Sequence, residues 1–168
     1  KRGDRGKEPL NIQKIHDMVE YAVEDIKGVS ASQVEMQSGL QFYDGMSTDE
    51  IQQILIKSAA DLISLETPNY QYVAARLLLY SLRKQVIDKL WDHPHIYDHT
   101  KKCIEKGVYD PEILNNYERK DFDRMENWIN HNRDYDFTYA GLRQVIDKYL
   151  VQDRSSGEVF ETPQFMYM

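Results

Sequence analysis

Residues 47–62 read STDEIQQILIKSAADL, and the fold is decided there. Ser47 followed three residues later by Glu50 is a capping box, in which hydroxyl and carboxylate satisfy the open amides of a helix start. Behind it, Ile51, Ile54, Leu55, Ser58, Ala59 and Leu62 recur at the three-and-four spacing of one apolar stripe. Upstream, Ser32 and Glu35 repeat the capping-box spacing and predict a helix to about Phe42, ended by Asp44-Gly45. Further upstream, Asn11 is a fitting N-cap for a stripe of Ile15, Met18, Val19, Ala22, Val23 and Ile26 closed by Gly28. Downstream, Thr67-Pro68 places an N-cap before a proline at the first helical position. A long helix should follow through Tyr72, Ala75, Leu79, Leu82, Val86 and Leu90. Four amphipathic helices joined by short loops make a bundle. The first ten residues, KRGDRGKEPL, interrupt their charges with Gly3, Gly6 and Pro9 and read as a tight turn or hairpin.

His93-Pro94 breaks this texture, and residue 92 is the expected boundary between domains 1–92 and 93–168. Beyond it the segments shorten. Helices are expected over Ile96 to Lys106, stopped by Gly107, then Pro111 to Tyr117, Lys120 to Asn130 and Phe137 to Lys148. Tyr149-Leu150-Val151 and Val159-Phe160, separated by Ser155-Ser156-Gly157, read as a small β-hairpin. The expected class is therefore mainly α, a four-helix bundle with a hairpin cap, followed by a helical segment and a small β-hairpin.

Composition removes several functions. At 168 residues the chain is far below the roughly 250 of a catalytic barrel. Its longest apolar run, around Val73 to Tyr80, contains Arg76 and falls short of the ~20 residues that span a bilayer. It shows no signal peptide. One cysteine forms no internal disulfide and makes a reducing cytoplasm the default. A net charge of -7 argues against general nucleic-acid binding, which needs a net basic face. A start at Lys1 without methionine and an apolar finish at Phe165 to Met168 suggest a piece of something longer.

Three constellations carry possible chemistry. Lys1, Arg2, Lys7, Lys14 and Lys84 could converge if the N-terminal turn folds over the helix ends, and the amides of the helix starts at Asn11 and Thr48 would add anion-binding capacity. That suits a phosphate, although a charged loop ahead of a helix is usually just solvated. His95, His99 and Cys103, with Asp98 beside them, share one helix face in a zinc-like set. The outer two are roughly 12 Å apart along the axis, so packing and capping is the better reading. The aromatic end, Tyr135, Phe137, Tyr139, Tyr149, Phe160, Phe165 and Tyr167, is interleaved with acids rather than bases, which favours packing over base stacking. Gly-rich phosphate loops, hydrolase triads and paired-cysteine motifs are absent.

One resemblance gathers these residues. Lys1-Arg2, Glu8-Pro9-Leu10-Asn11-Ile12-Gln13-Lys14-Ile15, Thr48 with Ile51, Lys57-Ser58-Ala59-Ala60 and Tyr70 to Leu77 resemble the ATP-cone that opens the large subunit of class I ribonucleotide reductase. Arg133-Asp134, Phe137-Thr138-Tyr139, Lys148 to Val151 and Gly157 to Phe165 resemble the run leading into that subunit's catalytic barrel. The resemblance implies ATP or dATP as an allosteric effector, with magnesium accompanying the nucleotide but no metal on protein side chains. It surrounds the nucleotide with Lys1, Glu8, Asn11, Lys14, Ile15, Thr48, Ile51 and Lys84. It also implies control of deoxyribonucleotide synthesis for DNA replication. The implied partners are the rest of the large subunit, the radical-bearing small subunit and further copies of the chain, with no nucleic acid and no membrane.

Three departures qualify it. The family's first cap strand would precede Lys1. Gln52 and Ser81 stand where dATP-inhibited bacterial members tend to have histidines, as in phage-type enzymes. The catalytic cysteines, radical-path tyrosines and barrel would lie beyond Met168, so the chain alone would not reduce a nucleotide. The alternative is a helical assembly module with a degenerate nucleotide site. A nucleotide-sensing repressor ranks last, since it needs a zinc ribbon before the cone and no cysteine precedes Cys103.

Overall fold

In the computed structural model, residues 9–39 and 41–168 are described. The hairpin read from KRGDRGKEPL falls, up to residue 8, outside them. The chain forms two compact units: the described residues up to Leu78 with Phe137–Ala140, and Leu79–Asp136 with Gly141–Met168.

The first unit holds α1 (Ile12–Val23), α2 (Ala31–Gly39), α3 (Thr48–Asp61) and the opening half of α4 (Tyr70–Ile87). Val19 and Ala22 from α1, Leu55, Ser58 and Ala59 from α3 and Ala75 from α4 are buried as their stripes predict, and Val34 from α2, Ile56 from α3 and Tyr70, Val73, Ala74 and Leu77 from α4, outside those stripes, join them in the interior. Each fully buried aliphatic side chain is worth roughly 1.5–3 kcal/mol relative to exposure, far more than helix propensity supplies. Helix α2 packs against both α1 and α3.

The helix ends depart from the sequence expectation for identifiable reasons. Helix α1 stops at Val23 rather than running to Gly28, because Asp25 takes a left-handed backbone at φ 60°. Arg76 Nη1 then donates to the carbonyls of Ala22 and Glu24 at 3.4 and 2.6 Å, satisfying groups a helix C-terminus leaves open. Helix α2 begins at Ala31 and ends at Gly39, not Phe42. The Glu35 carboxylate meets His16 at 2.7 Å instead of closing a capping box with Ser32. Thr67 does not cap α4 with its hydroxyl, which donates back to the carbonyl of Leu62 at 2.8 Å. Three tight i to i−3 contacts, from the amides of Tyr70, Gln71 and Tyr72, lead into α4 instead. That helix ends at Ile87, three residues before Leu90, with Asp88 left-handed at φ 63°.

The second unit contains the rest of α4, then α5 (Ile96–Glu105), α6 (Glu112–Asn116), α7 (Arg119–Glu126), a 3-10 helix (His131–Asp136), most of α8 (Tyr139–Lys148), β1 (Gln152–Asp153), β2 (Glu158–Val159) and α9 (Pro163–Met166). Ile96, Phe122 and Phe165 form its apolar cluster, flanked by Tyr97, Ile113, Leu114, Met125 and Ile129. The hairpin is antiparallel, with Gln152 opposite Val159 and Asp153 opposite Glu158. The amide of Phe160 donates to the carbonyl of Val151 at 2.9 Å, so the expected strand pair is present but shifted. Tyr149 and Leu150 instead turn their amides back to the carbonyl of Val145 at 3.0 and 3.1 Å, closing α8. At the tip, Ser155 and Ser156 donate to Asp153, which holds that carboxyl down at about 2, and Gly157 supplies the left-handed residue at φ 73°.

A charged network lies inside this unit. Arg83 is 1% exposed. Its Nη1 donates to Tyr135 Oη at 3.0 Å and to the carbonyl of Leu90 at 3.2 Å, and its Nη2 to the carbonyl of His131 at 2.6 Å and Asp134 Oδ2 at 3.3 Å. Gln164 Nε2 donates to the other Asp134 oxygen at 2.8 Å. Burial pushes the Asp134 carboxyl up, against Gln164 and Arg83, which pull it down.

Candidate functional site

The first turn of α1 is built by Asn11, whose Oδ1 accepts the amide of Lys14 at 3.1 Å. Lys14 is exposed and Ile15 half-buried, so the turn presents a flexible cation beside an apolar surface. No acidic residue occupies it, and the positive end of the helix dipole is uncompensated by a local carboxylate. Such a turn suits an anionic ligand. One position on, His16 meets Glu35 at 2.7 Å and Glu20 at 4.0 Å, and the Glu35 contact raises its pKa above the ordinary 6.5.

The first turn of α3 is different. The capping box is formed in full: Ser47 Oγ accepts the amide of Glu50 at 3.2 Å, and Glu50 Oε2 accepts the amide of Ser47 at 2.8 Å. These bonds with Ser47, joined by Tyr43 Oη donating at 3.0 Å, hold the Glu50 carboxyl below its usual range. Asp49 adds a second acid. Thr48 is exposed and Ile51 half-buried, but their turn already carries negative charge and is a poorer phosphate cradle than that of α1. Gln52 turns inward and donates from Nε2 to the carbonyl of Leu77 at 3.0 Å.

Lys84 is exposed in the last turn of α4, where a cation complements the negative helix end, and belongs to the second unit. Lys1 and Glu8, with Arg2 and Lys7, lie outside the described residues. The structure therefore joins Asn11 to Lys14 directly and sets Thr48 and Ile51 in one turn. Among the described residues, hollows also occur elsewhere. One of about 320 Å³ is lined by Asp17, Glu20, Tyr21 and Glu24 of α1. Another, about 20 Å³, lies among residues that include His99, Cys103, Lys106 and Phe160 and is about the size of one water.

The histidine and cysteine row serves as caps and packing. His95 is the N-cap of α5, its Nδ1 accepting the amide of Tyr97 at 3.1 Å, and its Nε2 sits 3.3 Å from Asp123. His99 and Cys103 are buried 3.5 Å apart. Burial lowers the His99 pKa to about 4 and raises that of the Cys103 thiol to about 11. Among the described residues no three potential ligands gather as a metal site, and no helix is long and apolar enough to cross a membrane. The sequence reading singled out Gln52 but not its inward bond to Leu77, and it missed the roles of His16 and Arg76. His16 and Gln52 flank the predicted site residues Ile15 and Ile51, but nothing in residue spacing marks their distant partners.

Comparison with known proteins agrees with this architecture. The ATP cone domain model matches residues 1–85. The chain is 45% identical over 165 residues to ribonucleoside-diphosphate reductase 1 subunit alpha of Escherichia coli (strain K12), covering 98% of this chain and 22% of that protein. It is likewise 45% identical over 165 residues to the subunit alpha of Haemophilus influenzae, with the same coverage. Against the subunit alpha of Enterobacteria phage T4 it is 44% identical over 158 residues, 93% of this chain and 20% of that protein. The chain thus spans about a fifth of the length of these relatives. With half its length matched by that model and nearly all of it similar to reductase large subunits, the chain belongs to the ATP-cone family.

Proposed function

We propose that this chain is the nucleotide-sensing region of a ribonucleoside-diphosphate reductase large subunit, in which bound ATP or dATP sets the activity of the whole enzyme. The supporting observation is the acid-free first turn of α1, with Lys14 exposed beside Ile15, inside the segment that the ATP cone model matches. In this reading Lys1, Lys14 and Lys84 neutralise phosphates, Glu8, Asn11 and Thr48 make polar contacts to sugar or base, and Ile15 and Ile51 form an apolar floor. Magnesium would arrive with the nucleotide. Residues 1–92 form the sensing domain and 93–168 connect it to the barrel.

The action is binding and not chemistry. An effector shifts assembly only if it binds one assembly state better than another, so partners follow from the reading: the rest of the large subunit, further copies of it and the small subunit, in the cytoplasm, where deoxyribonucleotides are made. Calorimetry with magnesium ATP and dATP tests it. A lost charge-assisted contact costs roughly 1.5–3 kcal/mol, so Lys14→Ala and Lys84→Ala each weaken binding about 10- to 100-fold. Unchanged affinity in both removes the site.

The acids Asp49 and Glu50 at the start of α3 favour a second reading, an assembly module whose nucleotide site has decayed. It predicts no heat with either nucleotide, even with about ten residues added before Lys1.

A further inference from the structure

Inside the second unit, the rings of His93 and His131 stack face to face, with centroids 3.5 Å apart and planes 9° apart. Phe165 meets His131 edge-on at 5.3 Å and stacks on His99 at 4.4 Å. His93 Nδ1 lies 3.0 Å from the carbonyl of Trp91. A carbonyl only accepts, so that nitrogen carries the proton and Nε2 is a bare lone pair. His93 Nε2 and both ring nitrogens of His131 are buried with no hydrogen-bond partner. Buried polar atoms are nearly always paired, so three orphans in two touching rings call for an explanation.

Metal binding does not supply one. Stacked, nearly parallel rings point their lone pairs side by side, not at a common ion, and among the described residues no third ligand joins them. Hydrogen bonding does not either, for among the described residues no acceptor receives a second N–H. A protonated His93 would add a buried, unpartnered donor to the N–H already given to Trp91, and a protonated His131 would be a double donor with neither hydrogen bonded, each pressed against another imidazole.

The surrounding charges sharpen this. From α4, Arg83 acts on both rings and disfavours a second cation. From the 3-10 helix, Asp134 and Tyr135 are bonded to that guanidinium. From the segment after α4, the Trp91 carbonyl and then Asp92 favour a charged His93, and Asp92 is exposed and paired with Lys89. From α9 come Phe165 and the neutral amide of Gln164, and from α5 His99, whose pKa burial lowers to about 4, so that it too is neutral above that pH. Desolvation and then Arg83 lower His93, and desolvation, the neighbouring His93 ring and Arg83 bring His131 down to about 3.

We propose that the His93–His131 stack is an acid-sensitive lock: with both rings neutral it joins the segment following α4 to the 3-10 helix, and protonation of either ring opens that junction. The unfolded rings bind protons near pH 6.5 and the folded rings resist them. Their contribution is therefore present above about pH 6.5 and is lost as pH falls toward the folded values. The lock is independent of the nucleotide reading and stands or falls separately.

The test uses the whole chain. In a histidine-labelled sample titrated from pH 8 to 4.5 by NMR, both rings should stay neutral while the amide pattern of the unit is native, and charge only as that pattern changes. Urea unfolding of wild type and of the His93→Phe/His131→Phe variant, at pH 7.5 and 5.5, gives the second measurement. The wild-type folding equilibrium should fall about tenfold more than the variant's for each ring that stays neutral in the fold. The proposal is overturned if either ring titrates reversibly near pH 6.5 with the amide pattern unchanged, or if both proteins lose stability equally. The NMR titration needs no variant, so a substitution that fails to fold leaves the decision intact.

Discussion

The guanidinium of Arg76, on α4, donates to the carbonyl oxygen of Glu24, the residue that ends α1, at 2.6 Å. A side chain more than fifty positions away thus does what a C-terminal glycine usually does. Arg76→Leu removes this donor from two helix-end carbonyls, of Ala22 and Glu24. A hydrogen bond to a charged group is worth about 1.5–3 kcal/mol, and urea unfolding should show a loss of that size. A change below about 0.5 kcal/mol would mean that water replaces the cap at no cost.

Tyr70 is fully buried, yet its hydroxyl accepts the amide of Ser30 at 3.0 Å and donates to Gln33. Tyr70→Phe keeps the ring and orphans that amide, which should cost about 1–3 kcal/mol. Hydrogen exchange should accelerate at Ser30 before it does in α3. Uniform exchange across the first unit would contradict a local role.

His16 should give the first unit a pH dependence of opposite sign to that of the stacked pair. The Glu35 contact raises its folded pKa above 6.5, so the contribution is complete below pH 6.5 and disappears as pH rises through the folded value. Unfolding midpoints at pH 6.0 and 8.5, compared between wild type and Glu35→Gln, read this directly. Wild type should lose more than the variant on going to pH 8.5; equal losses would show that the contact does not depend on charge.

Asp134→Asn leaves the Arg83 guanidinium buried without a counter-charge. Breaking one side of a buried pair typically costs 3–5 kcal/mol, the largest loss predicted here. Adding Arg83→Met to it should recover much of that loss, because no lone charge then stays inside. If the single and double variants are equally unstable, packing and not charge explains Arg83.

Legibility followed the range of the forces involved. The capping box of Ser47 and Glu50 and the cap at Asn11 could be read because donor and acceptor lie within one turn. Ser32 and Glu35 have the same spacing, but His16 competes for the carboxylate, and that competitor is visible only in three dimensions. Periodicity overran α1 and α4 because Asp25 and Asp88 adopt left-handed backbone, for which a stripe of apolar residues carries no signal. Lys14 was legible as a cation beside a helix start. Arg83 was not, since an arginine in a helix is read as solvent-facing unless its buried partners are known.

Cys103 is the chain's single cysteine, buried and with its thiol raised to about 11. At neutral pH it is almost wholly the unreactive acid form, shielded from alkylating reagents. The native chain is consequently its own silent background for site-specific labelling: a thiol introduced on any exposed helix face would take up a fluorophore or spin label alone, and distances could be followed during nucleotide addition or acidification without first removing the natural sulfur.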